Sequence, residues 1–414
     1  MKKVLSFLLV IALVLGFSAV SFAEEEPWTC SNGHENSAEN LFCGKCGEKR
    51  GESEEPTTWV CSNGHENSVD NGFCTVCGEK RAEEGTTDNS EWLALYENGE
   101  YEEAFPLIKA AADNGGLTAA NYLGMCYEYG YGTEQNDDLA FEYYEKAAAS
   151  GDPDALANLG VCYVYSMGVA ENEAKGFELA KESAELGSAR GMNLLGNCLM
   201  HGWGTDEKPS EAIQWYEKAA EKGYVNAAYN LGSSYYNGEG VVQNYSKAME
   251  WCMKAAEGGH ASAMNLIGIM YEYGYGVTKN AKKAVEWYQK SADAGESYGM
   301  SNLAGMYYDG DGVTQDYTKA LEWYEKAADA GNTSAMNSIA IMYYNGDGVT
   351  QNYTKAFEWF QKAAEAGNIY AMDNVGRMYS YGYGVTRNLR KAFEWFQKSL
   401  DAGNSNALVS IFCM

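Results

Sequence analysis

SAMNLIGIMYEYGYGVTKNAKKAVEWYQKSADAG, residues 262–295, decides the fold, because nearly the same line recurs along the chain at a constant step of 36 residues. A glycine closes each copy, from Gly115, Gly151 and Gly187 onward to Gly403. A fixed period of this length marks a stacked repeat array. Ala263, Ile267 and Tyr271 share one helical face, and Ala284, Trp287, Tyr288 and Ser291 share another, so each copy predicts two amphipathic helices. Between them stands Gly274-x-Gly276, whose first glycine suits the left-handed conformation that ends a helix. Asn280 follows, with counterparts at Asn136, Asn172, Asn244, Asp316, Asn352 and Asn388, placed to cap the second helix.

Two columns of small residues predict close packing. One runs Gly124, Gly160, Gly196, Gly232, Gly268, Ala304, Ala340, Gly376, and the other passes through Ala140, Gly176, Ala212, Ala248 and Ala284. Trp215, Trp251, Trp287, Trp323, Trp359 and Trp395 are expected to fill the space beside them. No single hairpin can bury such a face alone, so stability should be close to a sum of nearest-neighbour contributions.

Residues 263–295 read Ala-x-x-x-Ile-Gly-x-x-Tyr-x-x-Gly-x-Gly-Val, then Lys-Ala-x-x-Trp-x-x-Lys-Ser-Ala-x-x-Gly. The pattern resembles the Sel-one-like repeats, a branch of the tetratricopeptide superfamily. It covers eight units over residues 118–403, after a shortened capping hairpin at 90–117 and before a partial repeat at 404–414. One unit departs with Gly176 and Leu179 in the alanine and tryptophan columns, and the next opens its second helix with Pro209-Ser210. The resemblance implies an all-α, right-handed α/α superhelical solenoid. It also implies a scaffold that binds other proteins or peptides and is not an enzyme. The alternatives are an envelope enzyme of the secreted β-lactamase-like kind and a glycan-binding surface protein.

Residues 1–23 carry Lys2 and Lys3, an apolar run and a Ser21-Phe22-Ala23 ending, the pattern of a bacterial-type secretory signal. The run is short and broken by Ser6, Gly16 and Ser18, so cleavage is expected over anchoring, with a secreted or cell-envelope destination and no membrane span afterwards. The chain carries a formal charge of −28, which becomes −30 without the two lysines. Such a surface repels nucleic acid and anionic lipid.

Residues 24–50 and 59–81 hold a different repeat. Trp28 to Arg50 and Trp59 to Arg81 are identical at 17 of 23 positions, and each copy offers three thiols and one imidazole. These are Cys30, His34, Cys43 and Cys46, then Cys61, His65, Cys74 and Cys77. Four such ligands with a closing Cys-x-x-Cys suit one structural zinc ion per module, and modules this short need the metal to fold. A disulfide framework is the alternative, but three cysteines per module leave one unpaired. The modules resemble double zinc ribbons, with Gly33 and Gly64 standing where the second cysteine of the first knuckle is expected. Residues 51–58 and 82–89 are acidic and polar, and read as linkers.

Within the array, Cys126, Cys162 and Cys198 share a column with Ser234, Met270, Met306, Met342 and Met378, so they read as buried, inert thiols. Gly295-Glu296-Ser297-Tyr298-Gly299 matches a nucleophile elbow by chance, since a strand should precede an elbow and a helix is expected here. Asp309-x-Asp311 resembles the start of a calcium loop that Val313 interrupts. Tyrosine is in surplus. Tyr129, Tyr131, Tyr273, Tyr275, Tyr381 and Tyr383 flank the glycine turns, and are expected either to present a surface for an extended peptide or an envelope glycan, or to cover the turn backbone.

Overall fold

The computed structural model describes Trp28–Thr29, Glu35–Asn36, Thr58–Val60, Glu66–Ser68 and residues 90–412. The expected signal at 1–23, the linker at 82–89 and all eight expected zinc ligands lie outside the described residues. The chain divides into two units, Met1–Gly85 and Thr86–Met414. In the first, β1 (Trp28–Thr29) pairs antiparallel with β2 (Glu35–Asn36), and β3 (Thr58–Val60) with β4 (Glu66–Ser68). Thr58, the last residue of the expected linker 51–58, already belongs to β3.

The second unit is an all-α repeat solenoid. It opens with α1 (Ser90–Glu97) and α2 (Tyr101–Asp113). Eight hairpins follow, each of a first and a second helix. They begin with α3 (Leu117–Tyr129) and α4 (Asp137–Ala148), α5 (Pro153–Tyr165) and α6 (Glu173–Glu185), and α7 (Ala189–His201) and α8 (Pro209–Glu221). The middle pairs are α9 (Val225–Asn237) with α10 (Tyr245–Glu257), and α11 (Ala261–Tyr273) with α12 (Ala281–Asp293). Then come α13 (Ser297–Asp309) with α14 (Tyr317–Asp329), α15 (Thr333–Asn345) with α16 (Tyr353–Glu365), and α17 (Ile369–Tyr381) with α18 (Leu389–Asp401). A short α19 (Asn406–Phe412) packs on α18. There Ala407 goes inward while Leu408 stays exposed.

The caps follow the side chains. Asn280 Oδ1 accepts from the Lys283 amide at 3.1 Å, and the same bond opens α4, α6, α10, α14, α16 and α18. In α8, Lys208 provides no side-chain cap and Pro209 takes the first helical position instead, where a missing amide hydrogen costs nothing.

Gly274 closes α11 at φ +81°, and Gly276 follows at φ +69°. The second glycine does more than turn. A methyl on Gly276 would stand 2.7 Å from the Tyr245 carbonyl carbon at the start of α10, so the turn of one repeat rests on the backbone of the repeat before it. Gly132, Gly204, Gly240, Gly312 and Gly384 make the same approach to the unit before their own. The repeat at α5 ends on Ser166 at φ 57°, the one non-glycine residue with positive φ among the described residues.

The small column is filled by a different ring from the one expected. The tryptophans are only partly buried, and each is covered by a lysine three residues on, with Lys218 Nζ 3.7 Å from the Trp215 ring and Lys290 Nζ 4.0 Å from Trp287. The residue that goes inward is the next one along, because one step on a helix turns the side chain by about 100°. Tyr144, Tyr216, Tyr288 and Phe396 are buried against Gly124, Gly196, Gly268 and Gly376, where a methyl would lie 2.5 to 2.6 Å from the ring.

Two glycine substitutions separate conformation from packing. Gly295 has φ +87° with open space around it, so Gly295→Ala should cost about 1–2 kcal/mol, the left-handed penalty alone. Gly276→Ala adds a backbone collision, and should lose roughly 2–5 kcal/mol in chemical denaturation. Equal losses would show that the turn does not bear on its neighbour.

Candidate functional site

First helices of successive repeats approach one another more closely than second helices do, as α5 does α7 and α11 does α13. The first helices therefore line the inner side of the array. At those two junctions Gly191 and Gly299 lie against Ser183 and Ser291, and a methyl would come within 2.0 and 2.3 Å of the serine Oγ. Ser291 Oγ is itself held by donating to the Ala261 carbonyl at 2.9 Å.

Asparagines bridge this inner row in pairs. Asn158 Nδ2 donates to Asn121 Oδ1 at 2.8 Å, Asn230 to Asn193 at 2.9 Å, Asn302 to Asn265 at 2.8 Å and Asn374 to Asn337 at 3.1 Å. Odd repeats carry asparagine at the fifth helix position and even repeats at the sixth, so each series recurs every 72 residues and the repeats couple two by two. Stepping through the sequence by two repeats would have exposed this signal, which a 36-residue comparison blurs. Each dyad uses one donor and one acceptor of four groups. Among the described residues Asn265 Nδ2 and Asn302 Oδ1 keep their capacity, side by side.

The first dyad is closed over. Asn158 is 1% exposed and its Oδ1 has no partner. The two asparagines share a cavity of about 590 Å³ with Arg190, Lys222, Asp152 and Asp154. From α7, Arg190 reaches back past one whole repeat to Glu128 on α3 at 3.6 Å and to the Tyr129 hydroxyl at 3.3 Å. Glu128 also accepts from the buried Tyr144 hydroxyl. Repeats one and three are thereby stapled across the inner face, and the open part of the row begins beyond them.

The six turn tyrosines divide into two sets. Tyr131, Tyr275 and Tyr383 stack on Tyr101, Tyr245 and Tyr353 of the preceding repeat, with ring centroids 4.0, 4.9 and 5.0 Å apart. They cover the turn where Gly132, Gly276 and Gly384 touch that repeat, as the turn-covering reading expects, while Tyr383 also remains 38% exposed. Tyr129 is 47% exposed, but its hydroxyl accepts from Arg190 at 3.3 Å. Tyr273 and Tyr381 are 58% and 63% exposed. They stand one turn beyond Ile269 and Arg377 on the inner face.

The remaining sequence motifs resolve as packing and capping. Cys126, Cys162, Cys198 and Cys252 are free and fully buried, and burial raises each thiol to about 12. In Gly295-Glu296-Ser297-Tyr298-Gly299, Glu296 caps α13, Ser297 opens it, and Gly299 packs on Ser291. Asp347, the counterpart of Asp311 one repeat on, accepts from the Tyr308 hydroxyl at 2.7 Å.

The Arg190 staple makes a stability prediction. Arg190→Met strands the buried Glu128 carboxylate and should cost roughly 3 kcal/mol. Adding Glu128→Gln should restore part of it. A double variant no better than the single would remove the pair from the account.

Comparison with known proteins places the chain. Residues 117–152, 153–188, 189–224, 225–260, 261–296, 297–332, 333–368 and 369–404 each match the Sel1 repeat. Among solved structures, c5321, a protective antigen of uropathogenic Escherichia coli with an SLR fold, is 32% identical with a TM-score of 0.53, over 74% of this chain and 66% of that one. The present chain thus spans just under two thirds of that protein's length. A Sel1 repeat protein from Oxalobacter formigenes is 30% identical with a TM-score of 0.54, over 59% of this chain and 96% of that one. No curated protein matches. With eight matched repeats covering well over half of its residues, the chain belongs to the Sel1 repeat family.

Proposed function

We propose that the protein is an exported, non-enzymatic scaffold that holds extended segments of other proteins on the inner face of its solenoid. The observation that carries this reading is the row of open asparagine dyads. Each sets an unused amide donor beside an unused carbonyl acceptor, Asn265 Nδ2 beside Asn302 Oδ1, and an extended peptide presents the complementary carbonyl and amide along its backbone. Tyr273 and Tyr381 add rigid amphipathic rings on the same face.

Export rests on the signal pattern at residues 1–23, and no described helix is long and apolar enough to cross a membrane. The two N-terminal modules would each hold one structural zinc ion through three thiolates and an imidazole. Thr29 pairs with Glu35 and Val60 with Glu66, so strands close on both sides of residues 30–34 and 61–65, the stretches that begin and end with the first two ligands of each module.

Two measurements on the purified full chain test these readings. A pull-down from culture supernatant should yield a protein set that Asn265→Ala with Asn337→Ala, or Tyr273→Ala with Tyr381→Ala, loses while helicity is unchanged. An identical set with both variants would rule out the inner face. Elemental analysis should find two zinc ions per chain, and none would favour the disulfide alternative.

A further inference from the structure

Where every unit is nearly alike the exceptions stand out, and several of them meet at the cavity of the first dyad. Of the residues at the second position of the first helices, from Thr118 to Tyr370, only Asp154 and Arg190 are charged. Lys222 is the one charge in the 36-residue column that runs from Asn114 to Ala402. Tyr122 is the one aromatic ring at the sixth position of these helices. All of these residues line the cavity.

The charges are sorted along the array. Asp152 and Asp154 stand at the start of α5, and burial together with the charges of Glu97, Asp154 and Asp152 pushes the Tyr122 hydroxyl up. Arg190 and Lys222 come from the two units that follow. Asp152 Oδ1 accepts from the Ala155 amide at 2.8 Å, and Asp154 Oδ1 accepts from Ser188 Oγ. Among the described residues the second oxygen of each is unbonded, neither carboxylate has a basic partner, and Lys222 has no acidic one. Arg190 engages Glu128 and Tyr129 through Nη2, so its other nitrogens keep their capacity. One turn into α5 from Asp154, the buried Asn158 Oδ1 lacks a donor.

We infer that this cavity binds a short free peptide carrying both termini, its ammonium on Asp152 and Asp154, a backbone amide on Asn158 Oδ1, and its carboxylate on Lys222 and Arg190. A ligand of one sign would be repelled at one of the two walls. The buried acceptor between them calls for an N–H, which a peptide bond supplies. Length follows from the fold. Asp154 is bonded to Ser188 ahead of α7, and Lys222 lies ahead of α9, so the opposite charges stand about one helix spacing apart, about 8 to 10 Å. Three extended residues cover about 10 Å. The cavity's volume, about 590 Å³, suits such a ligand. This site is separate from the later dyads and does not rest on the scaffold reading of them.

Isothermal titration calorimetry on the full chain, with trialanine, N-acetyl-trialanine and trialanine amide as probes, tests the assignment. Trialanine should bind saturably at one site per chain, and blocking either end should weaken binding at least about tenfold, as loss of a charge-assisted hydrogen bond does. Asp154 and Lys222 are exposed, so Asp154→Asn and Lys222→Gln should leave helicity unchanged while each weakens trialanine by a similar factor. Lys222→Gln should not weaken trialanine amide further, because the group it would hold is already gone. Equal binding of the free and N-acetylated peptides would reduce the cavity to an anion site and overturn the inference. So would trialanine binding that ignores both variants, or no binding of trialanine at all, and either result would leave the later dyads and their scaffold role standing.

Discussion

The approach of the second turn glycine to the preceding repeat is the constraint on which the array depends. At Gly276 the backbone has positive φ, and its α-carbon lies against the carbonyl of Tyr245. Nothing larger than hydrogen fits there, so the distance between one hairpin and the next is set by main chain on main chain and not by adjustable side chains. What covers this contact is free to vary. Tyr275 stacks on Tyr245, whereas in the seventh repeat Asp347 takes its place and accepts from the Tyr308 hydroxyl. There Gly348 still crowds Tyr317 of the preceding repeat, at its Cβ, while the chemistry of the seam changes.

From that spacing follow the two faces. Second helices turn the lysine-covered tryptophans outward, and the ring one residue on fills the glycine column. First helices crowd together, closest where Gly191 and Gly299 meet a serine, and so present their polar stripe to one another. An asparagine placed there finds another within hydrogen-bond reach, which turns a row of equivalent units into a row of pairs. Arg190 goes one step further and ties the first repeat to the third; Asn121, Asn158 and Asn193 are buried, and the half-exposed dyads are Asn265–Asn302 and Asn337–Asn374.

The fold was legible because it is written eight times. Gly274, Asn280 and the cysteine–methionine column could each be read from recurrence, and the structure places them as caps and core. Position within a helix was less legible. Trp287 is larger than Tyr288 and looks like the better core residue, yet only the geometry of the hairpin decides which of two adjacent rings points inward. The turn tyrosines left two readings open for a related reason, since Tyr275 meets its partner 30 residues upstream in another repeat, a contact that no local pattern encodes. The dyads were hidden by the assumption of one repeat length, because Asn265 and Asn302 occupy different columns. The zinc ligands and the signal segment lie outside the described residues, and for them the sequence remains the basis.

If neighbour-to-neighbour stacking governs the molecule, a matched pair of repeats can be removed whole. Deleting residues 261–332 joins α10 to α15 and brings Tyr236 to Asp347, the pairing that Tyr308 makes in the intact chain. Equilibrium unfolding followed by circular dichroism should show the same helical signal per array residue and one cooperative transition at lower denaturant concentration. Loss of helicity across the remaining repeats would mean that the array is held together by something other than contact between neighbours.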